Sequence, residues 1–320
     1  MSIPALATFE LTKDFAIGFW RKRPYRALEH LTLQVDTGEV FGFLGPNGAG
    51  KTTTLKLLMR LVFPTSGRAE ILGRPLDDLA MKRRIGYLPE NPYFYDYLTA
   101  EELMTYFAAL FGYRGRERRI RTARLLDEVG IGAERRLPLR KFSKGMLQRV
   151  GIAQALINDP ELVILDEPMS GLDPLGRRDV RALILRLRDR GCTVFFSSHV
   201  LSDAEALCSR VAIVAKGRLV ASGPLSEILA FQVHGWELVM SHVPGGALEC
   251  ALKDGRVLKA LPLGPDRYAL DLPLGTSPER LLADMTAAGA QLVSLNPLRE
   301  TLEDFFVRQV AGAKTDRGLE

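Results

Sequence analysis

The order of apolar and polar positions predicts strands alternating with helices. Leu31-Thr-Leu-Gln-Val35 alternates with a period of two, which predicts a half-buried strand. Glu39-Val-Phe-Gly-Phe-Leu44 predicts a buried strand that runs into a glycine-rich turn, and Lys51 to Leu61 has helical apolar spacing. Residues from about 99 to 139 read as helical, opened by a capping box of Thr99 and Glu102 ahead of Leu103, Phe107 and Leu110. Leu162 to Leu165 is a short apolar run of the kind expected in a central parallel strand covered on both faces. A helix over Arg177 to Arg190, a strand over Thr193 to Ser197, a short helix and a strand over Val211 to Val214 follow. Such alternation predicts an α/β fold built on a mostly parallel sheet.

Near Phe231 the texture changes. Short strands over 236–240, 257–261 and 268–272 are separated by Pro and Gly, and Ser277-Pro278 predicts a capped helix through Leu281, Leu282 and Met285. Gln291 to Leu295 reads as a last strand, after which Asn296-Pro297 is expected to cap a final helix bearing Leu302, Phe305, Phe306 and Val310. The predicted organisation is a first domain over residues 1–230, with a helical subdomain at about 95–160. A small C-terminal α+β domain over 231–311 and a disordered tail over 312–320 complete it.

Composition narrows the class. With 47% hydrophobic and 25% charged residues, the chain is neither disordered nor fibrous. No stretch of eighteen apolar residues suggests a spanning helix, and the N-terminus lacks the pattern of a secretory signal, so a cytoplasmic location is expected. The three cysteines, Cys192, Cys208 and Cys250, have neither the spacing of a zinc site nor that of a disulfide framework, and read as buried free thiols. A net charge of +5 is mild for this length and does not by itself call for nucleic acid. The arginines between Arg114 and Arg124 read as a solvated helix face, or as a surface facing lipid headgroups or a partner.

Two motifs carry chemistry. Gly45-Pro-Asn-Gly-Ala-Gly-Lys-Thr-Thr53 fits the phosphate-binding loop G-x-x-x-x-G-K-[ST], with a strand before it and a helix after it. Glycines let successive N–H groups face phosphate oxygens, and the helix N-terminus adds partial positive charge. Lys51 can reach β- and γ-phosphates, and the Thr52 hydroxyl suits magnesium. Leu162-Val-Ile-Leu-Asp166-Glu167 ends a strand in two acids, the first suited to hold the metal through its water shell and the second to polarise an attacking water.

With Phe142-Ser-Lys-Gly-Met146-Leu-Gln-Arg, Ser170-Gly-Leu-Asp173-Pro and Ser197-Ser-His199 added, the order and spacing resemble the ATP-binding cassette of ABC transporters over roughly residues 6 to 225. That resemblance implies a P-loop NTPase cassette that uses ATP and Mg2+. It implies a head-to-tail dimer of two copies around two ATP molecules, driving a separate integral membrane permease from the inner face of the cell membrane. Gly45, Asn47, Gly48, Gly50, Lys51, Thr52 and Thr53 would then bind nucleotide, with Thr52 and Asp166 on the metal and Glu90 either a ligand beside them or a residue that only positions its loop. Glu167 and His199 would be catalytic. Ser143, Gly145 and Asp173 would face the nucleotide held by the other copy, and Phe15 would stack on adenine, with Trp20 and Tyr25 as rivals. Three residues depart from the family pattern: Lys144 and Met146 in the signature, and Glu90 where the family usually has glutamine.

Two other readings compete. A soluble cassette ATPase acting on nucleic acid or ribosomes would carry a long coiled coil or a second cassette. Here 92 positions without sustained heptads separate Lys51 from Ser143, and one P-loop is present, so no direct nucleic-acid contact is expected. A non-hydrolysing scaffold is disfavoured by the presence of Lys51, Asp166, Glu167 and His199 together. The C-terminal domain, closing with Leu302-Glu-Asp-Phe-Phe306, resembles the appendage of bacterial exporter subunits, so export is favoured over import.

Overall fold

The structure is a computed structural model that describes residues 3–18, 23–228 and 233–299. Contacts divide the chain into two compact units, Met1–Ile228 and Leu229–Glu320. Trp20, the final helix expected over Leu302 to Val310 and the tail expected over 312–320 lie outside the described residues.

The first unit opens with two long strands, β1 (Leu6–Ile17) and β2 (Arg23–Val35), then β3 (Val40–Leu44) and helix α1 (Lys51–Leu58). Next come β4 (Ser66–Ile71), β5 (Arg74–Pro75), α2 (Leu79–Lys82) and β6 (Ile85–Leu88). The helical part comprises α3 (Ala100–Leu110), α4 (Gly115–Glu128), a 3-10 turn at Leu139–Lys141 and α5 (Lys144–Ala155). The unit continues through β7 (Leu162–Asp166), α6 (Pro174–Asp189), β8 (Thr193–Ser198), α7 (Leu201–Leu207), β9 (Arg210–Ala215), β10 (Arg218–Pro224) and α8 (Leu225–Ile228).

Six strands form the central sheet in the order β10-β9-β3-β8-β7-β6. Every neighbouring pair from β9 to β6 is parallel, and only β10 runs antiparallel. Both β3 and β7 are buried along their whole length, as sheets covered on both faces require. Phe195 of β8 anchors the core between Phe41 and Phe43, with ring centroids 5.8 and 5.5 Å away. The expected α/β fold is therefore present. A second, antiparallel sheet of order β2-β1-β4-β5 joins it. In β2 the buried Leu31, Leu33 and Val35 alternate with exposed Thr32 and Gln34, as the period-two pattern predicts.

Local chemistry sets the helix ends. The Thr99–Glu102 capping box is formed: Glu102 N donates to Thr99 Oγ1 at 3.1 Å, and Thr99 N donates to the Glu102 carboxylate at 2.8 Å. Helix α1 stops at Leu58, three residues short of expectation, and Arg60 just beyond it takes a left-handed φ of 57°. Helix α5 presses against β6 at Gly86, where a Cβ would lie 1.9 Å from the Ala155 carbonyl oxygen. Only glycine allows that approach.

Among the described residues the second unit is a four-stranded antiparallel sheet with two helices, in chain order β11 (Val233–Ser241), α9 (Gly245–Lys253), β12 (Lys259–Gly264), β13 (Arg267–Pro273), α10 (Pro278–Ala287) and β14 (Gln291–Arg299). Its strand order, β12-β13-β11-β14, is that of the split βαβ arrangement. Leu238, Met240, Leu270 and Leu272 pack there with Leu281 and Met285 of α10. Three local expectations are corrected. Asn296-Pro297 does not open a helix: β14 continues through it to Arg299, because Asn296 and Pro297 pair with Glu237 and Trp236 of β11. Ser277 precedes α10, but its hydroxyl donates to Glu279 at 2.7 Å instead of capping the backbone. The strand expected over 257–261 begins two residues later, and α9 had no counterpart in the periodicity.

Cys192 and Cys208 are buried free thiols, whereas Cys250 is exposed, against expectation. Burial pushes Cys192 up to about 11 and Cys208 higher still, because an apolar surround penalises the thiolate. At pH 8 an aromatic disulfide reagent should therefore titrate one thiol per folded chain, and all three after unfolding in denaturant. Rapid modification of two or more in the native state would contradict the burial of Cys192 and Cys208.

Candidate functional site

The site lies where β3, β7 and β8 end together, at the carboxyl edge of the parallel sheet, the usual place for ligands in open α/β sheets. Strand β3 ends at Leu44, and the loop from Gly45 to Gly50 turns back into α1. Gly50 has a φ of 102°, and a Cβ there would fall 2.6 Å from the Ala27 carbonyl oxygen. The turn thus excludes any side chain at that position. Lys51, only 6% exposed, is the first residue of α1. Its Nζ donates to the carbonyl oxygens of Gly45 (2.7 Å) and Pro46 (3.2 Å) and lies 3.3 Å from Glu167 Oε1.

Asp166 ends β7, fully buried. One carboxylate oxygen, Oδ1, accepts from Ser197 Oγ at 2.6 Å, while the other, Oδ2, is buried without a hydrogen-bond partner. Burial raises the Asp166 pKa, the hydrogen bond from Ser197 and then the nearby Thr52 hydroxyl oppose that, and the Glu90 charge adds to it. The same enclosure pushes the Tyr87 phenol up to about 12, with the Asp166 charge contributing. An orphaned carboxylate oxygen with the Thr52 hydroxyl and the Glu90 carboxylate nearby is a hard oxygen set, which fits magnesium.

Glu167 takes a left-handed φ of 51°, a conformation that a glutamate rarely adopts unless its surroundings impose it. Here its N–H donates to Ser197 Oγ (3.0 Å), and its carbonyl accepts from Gln148 Nε2 (3.4 Å) on α5. The turned side chain sits with Oε1 toward Lys51 and Oε2 2.8 Å from His199 Nδ1. Lysine, acid and histidine thus meet in one side-chain cluster.

Phe15 of β1 and Tyr25 of β2 are register partners across their hairpin. Both line a cavity of about 380 Å3 with Asn47, Gly48, Gly50, Lys51, Thr52 and Thr53, and Glu90 and Glu167 also border it. The position of Tyr25 beside Phe15 follows from strand register, which spacing in the sequence does not reveal.

Ser143, Gly145 and Asp173 are not brought to that cavity. They line a separate one of about 450 Å3 with Lys144, Met146 and Gly171. In this chain Ser143 caps α5 through Met146 N (3.2 Å), and Asp173 caps α6 through Gly176 N (2.7 Å).

Known proteins share these features. A family model described as ABC transporter matches residues 28–170. An uncharacterized ABC transporter ATP-binding protein of Synechocystis is 46% identical over 309 residues, covering 95% of this chain and 84% of that protein. The chain belongs to the ABC transporter ATP-binding proteins. This ABC subunit is also 42% identical to the bacitracin transport ATP-binding protein BcrA of Bacillus licheniformis, over 70% of its own length and 71% of BcrA. Among solved structures, the dimeric post-hydrolysis state of the cassette MJ0796 with ADP and phosphate matches with a TM-score of 0.63 and 27% identity. That match covers 69% of this chain and 98% of MJ0796. The family is one of ATP-binding, ATP-hydrolysing transport subunits, and cassettes of this kind dimerise.

The sequence pointed to Asp166 and Glu167 but not to the roles of Ser197 and Gln148, which hold Glu167 in place. The signal for Ser197 was present, two residues before His199 at the end of an apolar strand. Ser197→Ala should leave Asp166 Oδ1 and Glu167 N without their partner, costing about 1–3 kcal/mol of stability. ATP hydrolysis should also fall more than about tenfold, as the left-handed turn at Glu167 loses its anchor. Thermal melts and steady-state turnover check both, and an unchanged rate would show that Glu167 is held by other means.

Proposed function

We propose that the chain is the ATP-hydrolysing subunit of an exporter, closing as a dimer on two ATP molecules to move a separate integral membrane permease. The observation that carries this reading is the split of the site residues between two cavities. Lys51 and Glu167 line one and Ser143 and Asp173 the other, so a second copy would be needed to bring a signature face to each phosphate cradle. The dimeric state reported for MJ0796 supports it.

In this reading the N–H groups of Asn47, Gly48 and Gly50, with Thr53, cradle the phosphates, and Lys51 neutralises their β- and γ-oxygens, while Gly45, whose N–H donates to the Ser198 carbonyl at 3.2 Å, shapes the turn. Thr52, Asp166 through its free oxygen, and Glu90 would hold Mg2+, which when bound supplies charge neutralisation at phosphate oxygens. Glu167 draws a proton from the attacking water, and His199 orients that carboxylate and faces the γ-phosphate. Phe15 offers its ring to adenine. Ser143, Gly145 and Asp173 complete the site of the other copy. Rigid-body closure then follows ATP binding, and reopening follows loss of the γ-phosphate.

Export is favoured over import by the relative named for bacitracin transport and by the Leu302-Glu-Asp-Phe-Phe306 segment. No helix among the described residues is long and apolar enough to cross a membrane. This fits placement at the inner face of the cell membrane through the permease. Residues 231–311 would be an accessory domain to that assembly.

The test is size exclusion with saturating ATP. Glu167→Gln keeps the side-chain shape and removes the base, so the variant should bind ATP and slow turnover about a hundredfold or more. It should also accumulate a dimer holding two nucleotides. Adding Ser143→Arg should return it to monomer, because a bulky cation fills the signature cavity. A variant that binds ATP yet stays monomeric would refute the two-site dimer for the isolated subunit.

Glu90→Gln separates chemistry from coupling. If the Glu90 loop mainly transmits motion, hydrolysis should stay within about threefold while transport falls further. A loss matching that of Glu167→Gln would instead make Glu90 part of the chemical step.

A further inference from the structure

Three carboxylates are buried among the described residues: Asp166, Glu167 and Asp203. The first two stand at the phosphate cradle. Asp203, 1% exposed, lies on α7 and touches neither cavity described above. A carboxylate is costly to bury unless it is paired. Asp203 is paired twice: Arg181 donates to its Oδ1 from Nε (3.1 Å) and from Nη2, and Arg177 Nη1 lies 4.0 Å from Oδ2. Both arginines are on α6, one turn apart, so the cluster fastens α6 to α7.

The location gives the cluster its meaning. His199 stands four residues before Asp203, in the short link between β8 and α7. Its ring is 41% exposed, and among the described residues its one side-chain partner is Glu167. Core packing therefore does not hold the ring, and its place depends on where the backbone of the link is held. On the β8 side, Ser198 Oγ accepts from Val200 N at 2.9 Å. On the other side stands α7, which the Arg181 fork ties to α6. A two-pronged guanidinium fixes direction as well as distance, which apolar contact between helices does not. Helix α6 in turn begins at Asp173, its capping residue.

We propose that Asp203 is a positioning residue for ATP hydrolysis: clamped by Arg181 and Arg177, it holds the His199 link against the helix that starts at Asp173. This rests on the reading of His199 as the residue that orients Glu167. Loss of the clamp leaves the nucleotide cradle intact and lets His199 drift from Glu167.

A double-mutant cycle on the full chain tests it, with rates corrected for folded fraction by circular dichroism. Asp203→Asn keeps the shape and removes the charge; it should lower kcat about tenfold while KM for ATP stays within about twofold. In a His199→Ala background the same change should lower kcat by less than about twofold, since the residue it positions is gone. If Asp203→Asn does not fold, Arg181→Lys keeps the cation without the fork. It should lower kcat about threefold alone and leave it unchanged beside His199→Ala. Effects that multiply in the double variants, or an unchanged kcat in the single ones, overturn the positioning role and leave the site reading standing. A His199→Ala variant with wild-type kcat overturns the reading of His199 and this inference with it.

Discussion

One hydroxyl governs the geometry of the site. Ser197 Oγ donates to Asp166 and accepts from the N–H of Glu167, joining the ends of two parallel strands at the point where Asp166 and Ser197 are register partners. A one-residue slip between β7 and β8 would move one partner to the other face of the sheet. Burial of both strands along their whole length fixes that register, and the packing of Phe195 between Phe41 and Phe43 holds β8 against β3 on its other side. Core packing and site chemistry therefore share one constraint. A left-handed glutamate costs about 1–3 kcal/mol, and it persists because the bonds from Ser197 and Gln148 over-determine it.

The turn at Glu167 then organises the charges. An ammonium group has three donors, and all three of Lys51 are engaged, by two loop carbonyls and by Glu167. Two of those contacts are to loop carbonyls and the third is to a side chain, so Lys51 joins the loop to the same carboxylate that touches His199.

The sequence made the chemistry of short motifs legible and left the pairings that depend on register out of reach. The phosphate loop could be read because its glycines, its lysine and its flanking strand and helix are contiguous in the chain. The parallel order was legible for a similar reason: β7 and β8 are apolar runs separated by a helix. Tyr25 and Phe15 are ten residues apart and face one another only through the antiparallel pairing of β1 with β2, whose register the spacing does not show. Asn296-Pro297 carries a helix-start signal, yet tertiary pairing with β11 overrides it at an edge strand, where a proline is tolerated. The cluster of Asp203 with Arg177 and Arg181 looks in sequence like ordinary surface charge on two amphipathic helices. Only packing shows that the carboxylate is buried.

The departures at the signature make structural sense within the chain. Where the ABC pattern usually has glycine, Lys144 follows the capping Ser143, and its stem runs along Gly171, a residue with a φ of 71° just before the α6 cap. A Cβ on Gly171 would come within 3.0 Å of Lys144 Cδ and Cε. Two motifs separated in sequence are therefore matched: the bare backbone of one receives the aliphatic stem of the other. The ammonium group is carried to a cavity that also contains the exposed N-terminal turn of α5, where partial positive charge already favours an anion. Lys144 thus adds positive charge to a cavity that Glu134 and Asp173 also line, without disturbing the cap that Ser143 makes with Met146.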